Sequence, residues 1–271
     1  MSSFGDRFAI NTYSYTQSMS GADCLRHLSD KGVRAVELMF YPGHVWVTDD
    51  AASIAEIRSV LESDSIELLS MNSPNIDLNL AAATKEMRDL TLEINKGYLR
   101  VAGELGARGL VVGPGKSNPL FPLPKERMTG FFLEALDVLV PVAQQTGVTL
   151  YVENMSFAFL PAAGELMDVL DRYGSDEIKI CYDVANAHFI DEDPAAGLEA
   201  VGSRLAVVHF SDTTQKIYRH DPIGEGDVDF AKLPEVLLSV GYEAPIVLEI
   251  IAQHADESIG KSIASLQASG F

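Results

Sequence analysis

The chain is poor in cysteine and in positive charge. The first shortage argues against a disulfide-stabilised protein, and the second argues against a nucleic-acid-binding protein. Its 271 residues contain two cysteines, which is too few for a disulfide framework and suits a reducing compartment such as the cytoplasm. Lysine and arginine together number 20, against 39 aspartates and glutamates, which gives a formal net charge of −19 at pH 7. That charge would repel a polyanion, so we expect no nucleic-acid partner and favour a small-molecule ligand.

The chain also lacks long apolar runs and breaks in composition. No uninterrupted apolar run reaches the roughly 20 residues needed to span a membrane. The opening residues, MSSFGDRFAINTYSY, lack the basic and apolar segments of a signal peptide. No linker rich in proline, glycine or serine divides the sequence. These absences predict a cytoplasmic protein without a membrane partner, folded as a single domain over residues 1–271.

Short apolar segments alternate with longer helical patterns along the whole chain. The predicted strands lie at 8–14, 35–40, 66–72, 108–113, 149–154, 178–184, 205–211 and 245–250. The predicted helices lie near 22–31, 51–63, 84–106, 127–146, 162–173, 195–203, 230–240 and 256–268. Five of these helices are followed or ended by a glycine that is expected to stop them, namely Gly32, Gly106, Gly147, Gly174 and Gly241.

Eight strand–helix units in 271 residues average about 34 residues each, which is the size of a strand with its crossover helix. The simplest closed arrangement is an α/β fold, a single (β/α)8 TIM barrel. A doubly wound open sheet would carry a glycine-rich phosphate turn after its first strand, and the segment INTYSYTQS has none. We therefore predict the barrel, in which functional groups lie at the carboxyl ends of the strands.

Four consecutive predicted strands each end in a residue that can bind a hard divalent metal. These residues are Glu153, Asp183, His209 and Glu249. An unpaired buried carboxylate costs several kcal/mol, and the cations near them in sequence are only Lys179 and Arg204, so partners for salt bridges are scarce. Three carboxylates and one imidazole favour Mn²⁺ or Mg²⁺ and are compatible with Co²⁺ or Zn²⁺. The sequence therefore predicts one divalent metal ion at the top of the barrel.

The motifs around these four residues resemble those of a known family. They are E-N after strand 5, Y-D-x-x-N after strand 6, H-F-S-D after strand 7 and L-E after strand 8. In this order and spacing they resemble the xylose isomerase-like TIM barrels, which include sugar and sugar-phosphate isomerases and epimerases and the AP endonucleases of the endonuclease IV type. The resemblance covers essentially the whole chain. It implies that the four residues hold the metal and that Glu153 and Glu249 also act as catalytic acid and base groups.

The same resemblance separates the chain from the endonuclease branch. The endonuclease motifs carry histidine or aspartate ligands for a cluster of three metals at the positions that match Asn72, Asn186 and Tyr218. Gly113 likewise stands where those enzymes have the histidine of H-P-G. A three-metal cluster would lack most of its ligands here, so the resemblance implies a single-metal site of the isomerase type.

A single metal beside two glutamates suits proton abstraction next to a carbonyl. A metal polarises the carbonyl and stabilises an enediolate, while a glutamate removes and returns the proton. We expect a metal-dependent isomerase or epimerase of carbohydrate metabolism, acting on a sugar, keto-sugar or cyclitol. Two alternatives remain open. One is a dehydratase or lyase of the 3-dehydroshikimate or inosose dehydratase type, and the other is a non-catalytic barrel that binds a ligand.

Other residues are candidates for substrate contact, each with a structural alternative. The candidates are Glu37, Asn186, His188, Arg219 and His220. Arg219 could instead form a loop salt bridge with Asp221, and Glu37 could instead tie strand 2 to a neighbour. Lys116 lies in GPGKSN, which lacks the P-loop spacing, so we expect a solvated lysine and an unphosphorylated substrate. A homo-oligomer is compatible with the sequence, which does not decide the oligomeric state.

Overall fold

The structure is a computed structural model that describes residues 7–75 and 77–271. Within those residues, eight parallel strands form a closed barrel in chain order, with the last strand paired to the first. The strands are β1 (Phe8–Asn11), β2 (Ala35–Met39), β3 (Glu67–Asn72), β4 (Gly109–Val112), β5 (Thr149–Glu153), β6 (Ile178–Asp183), β7 (Leu205–Phe210) and β8 (Ile246–Leu248). The predicted (β/α)8 TIM barrel is confirmed, although several strands are shorter than the apolar segments suggested.

Helices follow the strands around the barrel. They are α1 (Gly21–Asp30), α2 (Ala51–Ser63), α3 (Lys85–Leu105), α4 (Lys125–Thr146), α5 (Ala163–Tyr173), α6 (Val184–Phe189), α7 (Pro194–Val201), α8 (Leu233–Ser239) and α9 (Ala255–Ala268). The short helix α6 was not predicted, because its six residues directly continue strand β6. Among the residues described, no helix is both long enough and apolar enough to cross a bilayer.

Glycines end the helices where the sequence predicted. Gly147, the C-cap of α4, has φ 72° and donates its backbone N–H to the carbonyl of Gln144. This left-handed conformation is open to glycine without the cost that a Cβ would bring. The next residues then enter β5, whose first residue Thr149 pairs with Gly109 of β4.

The barrel interior has an apolar layer with a polar layer above it. The apolar layer takes one residue from each strand, namely Ala9, Ala35, Leu69, Val111, Tyr151, Cys181, Val207 and Val247. Because side chains alternate along a strand, a residue two positions later points to the same side. On six strands that later residue is polar and buried: Asn11, Glu37, Glu153, Asp183, His209 and Glu249. The period of two therefore brings polar groups together at the carboxyl end of the barrel.

Candidate metal centre and active site

The four predicted metal ligands converge at the top of the barrel. One ligand atom from each of Glu153, Asp183, His209 and Glu249 lies within 4.8 Å of the others, and all four residues are buried. The Nδ1 atom of His209 lies 3.3 Å from Oε2 of Glu249 and 3.6 Å from Oε1 of Glu153. The same atom lies 3.8 Å from Oδ2 of Asp183. Three carboxylates thus surround one imidazole nitrogen.

Two atoms of this cluster lack a hydrogen-bond partner. Within the described part of the chain, Oδ2 of Asp183 and Nδ1 of His209 are buried and accept or donate no hydrogen bond. A buried polar atom without a partner costs free energy, so both atoms are available to bind a ligand. A divalent cation between them would satisfy both atoms, and the donor set of oxygens with one imidazole suits such an ion. The residues present therefore fit a metal.

The electrostatics of the cluster also favour a cation. Burial, opposed by His220 and reinforced by the charges of Glu249 and Glu153, raises the pKa of Asp183 to about 7. Burial likewise raises the pKa of Glu249 against the attraction of His209. A bound cation would offset the repulsion among these carboxylates and favour the ionised forms of Asp183 and Glu249.

The second ring nitrogen of His209 is held from below by Glu37. Its Nε2 lies 3.0 Å from Oε1 of Glu37, and neither side chain is exposed to solvent. Ser70 donates to Oε2 of Glu37 at 2.6 Å, and the side-chain amides of Asn11 and Asn72 donate to Oε1 at 2.7 and 3.0 Å. Burial raises the pKa of Glu37, but His209 and the hydrogen bonds from Ser70 and Asn72 outweigh it and lower the pKa below its usual value. Glu37 therefore ties β2 to its neighbours, which is the alternative that the sequence left open beside a substrate contact.

Two asparagines explain the local motifs around Asp183. The side chain of Asn154 pairs with the backbone of Asp183: Oδ1 accepts its N–H at 2.7 Å and Nδ2 donates to its carbonyl at 3.0 Å. This pair extends the hydrogen bonding between β5 and β6 beyond Glu153. Oδ1 of Asp183 then accepts the backbone N–H of Asn186 at 2.6 Å and caps α6. Because one oxygen is committed to the helix cap, the other is left to face the cluster.

Asn186 contacts Glu153 through its own side chain. Its Nδ2 donates to Oε1 of Glu153 at 3.3 Å, and its Oδ1 accepts from Tyr218 Oη at 2.8 Å and from Ser156 Oγ at 2.9 Å. Tyr218 Oη also lies 2.9 Å from Nε2 of His220. Since Tyr218 donates its proton to Asn186, its oxygen is left to accept from His220. These contacts link the β6 and β7 loops across the site.

A cavity of about 310 Å³ opens above the cluster. It is lined by Tyr13, Met39, Asn72, Ser73, Pro74, Asn75, Lys116, Glu153, Met155, Ser156, Phe157, Ala158, Asn186, Tyr218, His220, Glu249 and Ile251. Both glutamates of the cluster reach this cavity, while Asp183 and His209 lie beneath its surface. His220 borders it with Nδ1 at 3.4 Å from Oε2 of Glu249. The cavity is large enough for a small molecule, and carboxylates and an imidazole form part of its floor.

A family model described as the xylose isomerase-like TIM barrel matches residues 25–269 of this chain. The chain belongs to this family. The sequence of this xylose isomerase-like barrel is 24% identical to that of an uncharacterized protein of Methanocaldococcus jannaschii over 232 residues, 83% of this chain and 77% of that protein. It is also 24% identical to L-ribulose-5-phosphate 3-epimerase UlaE of Escherichia coli O1:K1 / APEC over 178 residues, 66% of this chain. The match spans 62% of the length of that epimerase.

The fold of the barrel is also similar to that of solved structures. A D-tagatose 3-epimerase-like protein superposes with a TM-score of 0.84 at 21% sequence identity, covering 97% of this chain and 96% of the other. At this identity the similarity supports the fold and not a shared substrate. The family and the barrel predicted from the sequence motifs are thus confirmed.

Two predicted substrate-binding residues of this xylose isomerase-like barrel lie away from the cavity lining. Nε2 of His188 lies 2.6 Å from Oδ1 of Asp227. The side chain of Arg219 is 62% exposed, and its guanidinium lies 3.9 Å from the carboxylate of Asp221. Arg219 therefore makes the loop contact that the sequence offered as the structural alternative. Neither residue is among those that line the cavity.

Other residues reach the site although the sequence did not single them out for it. Asn11, at the end of β1, donates to Glu37 and, at 3.3 Å, to Oε1 of Glu249. The rule that strand ends carry function could have found it. Lys116 was expected to be solvated, but it is partly buried at the cavity, and its Nζ donates to the carbonyl of Asn75 at 2.7 Å. Burial lowers its pKa. That position depends on loop packing, which no local motif reveals.

Proposed function

We propose that the protein is a divalent-metal-dependent sugar epimerase or isomerase. The observation that carries the proposal is the buried cluster of three carboxylates and one imidazole beneath a small-molecule cavity, with Nδ1 of His209 and Oδ2 of Asp183 unpartnered within the described residues. Two similar proteins add support. One is an L-ribulose-5-phosphate 3-epimerase, and the other is D-tagatose 3-epimerase-like.

The metal would be held by Glu153, Asp183, His209 and Glu249, and Mn²⁺ or Mg²⁺ suits this oxygen-rich set best. When bound, it supplies a Lewis acid that polarises a carbonyl and its neighbouring hydroxyl. Asn186, bonded to Glu153, and Asn11, bonded to Glu249, hold the two glutamates in place.

Glu153 and Glu249 are assigned as the acid and base groups. One carboxylate takes the proton from the carbon beside the carbonyl, and the electrons of the broken C–H bond form the enediolate of the substrate. Return of a proton by the other glutamate to the opposite face of the same carbon gives the epimer. Return to the former carbonyl carbon, with transfer of the proton of the neighbouring hydroxyl to the former carbonyl oxygen, gives the aldose–ketose isomer. Both glutamates border the same cavity, which favours epimerisation by two bases.

A dehydratase is the second candidate, and the position of His220 favours it. This histidine is buried at the cavity with Nδ1 3.4 Å from Oε2 of Glu249. The imidazole of His220 is the candidate acid for a hydroxyl that leaves, as water, from the carbon next to the enediolate. The metal and the first proton transfer would be the same in both reactions, so the products decide between them.

The test is to incubate the Mn²⁺-loaded protein in D₂O with a panel of ketoses, ketose phosphates, keto-cyclitols and 3-dehydroshikimate. We expect deuterium at the carbon beside the carbonyl of one ketose, with an otherwise unchanged formula, detected by proton NMR and mass spectrometry. Loss of water would support the dehydratase instead. Metal and ligand binding without exchange of any proton would support the non-catalytic barrel.

The proposed enzyme is expected to act in the cytoplasm. Both cysteines are free and buried, which suits the predicted cytoplasm. The proposed substrate is a small sugar or polyol-derived molecule. The single domain over residues 1–271 and a homo-oligomer stay predictions.

A further inference from the structure

Glu37 is a buried carboxylate that lies outside the cavity yet contacts the metal cluster. It is fully buried, and the residues that line the cavity among those described do not include it. Its contact with the cluster runs through His209, whose Nε2 lies 3.0 Å from Oε1 and 3.2 Å from Oε2 of Glu37. Burying a fourth carboxylate in an acidic site costs free energy, so the presence of Glu37 needs an explanation.

We propose that Glu37 is a positioning residue that keeps the proton of His209 on Nε2 and directs Nδ1 to the metal. This inference rests on the metal site of the proposed function. Glu37 does not touch the substrate in this assignment, which replaces the substrate contact considered from the sequence.

The hydrogen-bond donors around Glu37 support the assignment. Ser70, Asn11 and Asn72 all donate to its carboxylate at distances between 2.6 and 3.0 Å. A carboxylate in this surrounding only accepts, so the contact with His209 requires a proton on Nε2. A neutral imidazole with its proton on Nε2 has its lone pair on Nδ1, the atom that faces three carboxylates and has no partner among the described residues.

The same network reaches a second ligand. Nδ2 of Asn11 donates to Glu37 at 2.7 Å and to Glu249 at 3.3 Å. Glu249 in turn lies 3.3 Å from Nδ1 of His209. Glu37, Asn11, Glu249 and His209 thus form a closed ring of contacts, so Glu37 is expected to orient two metal ligands. A carboxylate bonded to the outer nitrogen of a ligand histidine also raises the basicity of that ligand.

The test compares two variants in the same network. Glu37→Gln removes the charge but can keep the shape, because its carbonyl can accept from His209 while its amide turns to Ser70 Oγ. Ser70→Ala removes a hydrogen bond to Glu37 and leaves the contact between Glu37 and His209 intact. We expect Mn²⁺ affinity, measured by electron paramagnetic resonance of free Mn²⁺, to fall about 10–100-fold in Glu37→Gln and less than about threefold in Ser70→Ala.

A measurement on the unaltered protein tests the inference without a variant. Long-range proton–nitrogen NMR of the Mg²⁺-loaded protein should show His209 with its proton on Nε2 and none on Nδ1. A proton on Nδ1, or equal Mn²⁺ affinities for the two variants, would overturn the inference. Failure of the unaltered protein to bind Mn²⁺ or Mg²⁺ would instead overturn the metal site itself.

Discussion

Two side chains of the site each make two different contacts through two different atoms. Asp183 caps α6 with one oxygen and faces the cluster with the other. His209 contacts Glu37 with one nitrogen and the carboxylates with the other. These contacts hold the rotamers of both residues, which would lower the conformational cost of binding a metal at the proposed site.

Replacing either proposed base should stop turnover. Glu153→Gln and Glu249→Gln keep the size of the side chain but remove its ability to accept a proton. We expect kcat to fall about 10²–10⁴-fold under saturating Mn²⁺, measured as deuterium exchange into the substrate. Glu199→Gln, on the exposed face of α7, is the matched control and should behave like the unaltered protein. Full activity in either site variant would remove that glutamate from the mechanism.

Removing the imidazole should empty the metal site. His209→Ala deletes the nitrogen that lies within 3.8 Å of all three carboxylates. We expect metal content after desalting to fall from about one ion per chain to near none. His254→Ala removes an exposed histidine and should retain the metal. A metal content in His209→Ala equal to that of the control would contradict the ligand set.

The raised pKa of Asp183 predicts how pH affects the metal-free protein. Burial raises this pKa to about 7, well above the usual value of an aspartate. The folded state therefore binds the proton more tightly than the unfolded state does. The stability from this group is present below the unfolded pKa and is lost as pH rises toward about 7 and above.

Thermal unfolding with a chelator should accordingly give a lower Tm at pH 8 than at pH 5. Asp183→Asn has no such proton to lose and should show a smaller decrease over the same range. Added Mn²⁺ should also reduce the decrease, because a bound cation stabilises the ionised form. A Tm in the chelated protein that is constant or rises with pH would contradict this assignment.

At the scale of elements, the junctions that follow the strands position the site. Asn154 replaces backbone pairing between β5 and β6 by two side-chain hydrogen bonds to Asp183. The cap of α6 begins at the same residue. Asp183 is both the last residue of β6 and the N-cap of α6, so its side chain has a fixed direction, and this residue is a proposed ligand.

Asn154→Ala should therefore weaken both the fold and the metal site. The change leaves the backbone N–H and carbonyl of buried Asp183 without these partners. We expect a loss of about 1–3 kcal/mol in the free energy of unfolding, measured with urea in the metal-free protein. Mn²⁺ affinity should fall as well. Asn118→Ala, in an exposed loop, is the control, and equal effects of the two changes would contradict this role.

At the scale of the whole molecule, closure of the barrel brings the carboxyl ends of its strands close together. Three carboxylates from β5, β6 and the end of β8 meet although they lie far apart in sequence. Their repulsion opposes folding in the metal-free protein. A cation that binds only the folded state should therefore stabilise the entire barrel.

Mn²⁺ should raise the Tm of the chelated protein. At about 100 times Kd the metal contributes about 2.7 kcal/mol to the free energy of unfolding. For a domain of this size each kcal/mol corresponds to roughly 2–4 °C in Tm. Calorimetry should show one transition that moves as a whole, as expected of a single domain over residues 1–271. Two separate transitions, of which one ignores the metal, would contradict the single-domain prediction.

The sequence by itself determined the barrel and grouped the four residues that are the proposed metal ligands. Apolar segments spaced by one strand–helix unit predict a (β/α)8 fold, and a closed barrel has to bring the ends of its strands together. Glu153, Asp183, His209 and Glu249 could therefore be grouped without coordinates. The glycine stops, such as Gly147, follow from backbone sterics, which are local.

Only the tertiary structure decided which contacts the residues around the cluster make. Glu37 contacts His209 from a strand far away in sequence, and only barrel closure shows that it lies beneath the buried cluster instead of facing the cavity. Arg219 and His188 lie on loops whose packing turns them toward Asp221 and Asp227. The side to which a strand side chain points is set by a period of two, which can be read from the sequence. The orientation of loop side chains is set by long-range contacts that the sequence does not show. This is why the four residues of the cluster could be grouped from the sequence, while the contacts of His188, Arg219 and Glu37 could not.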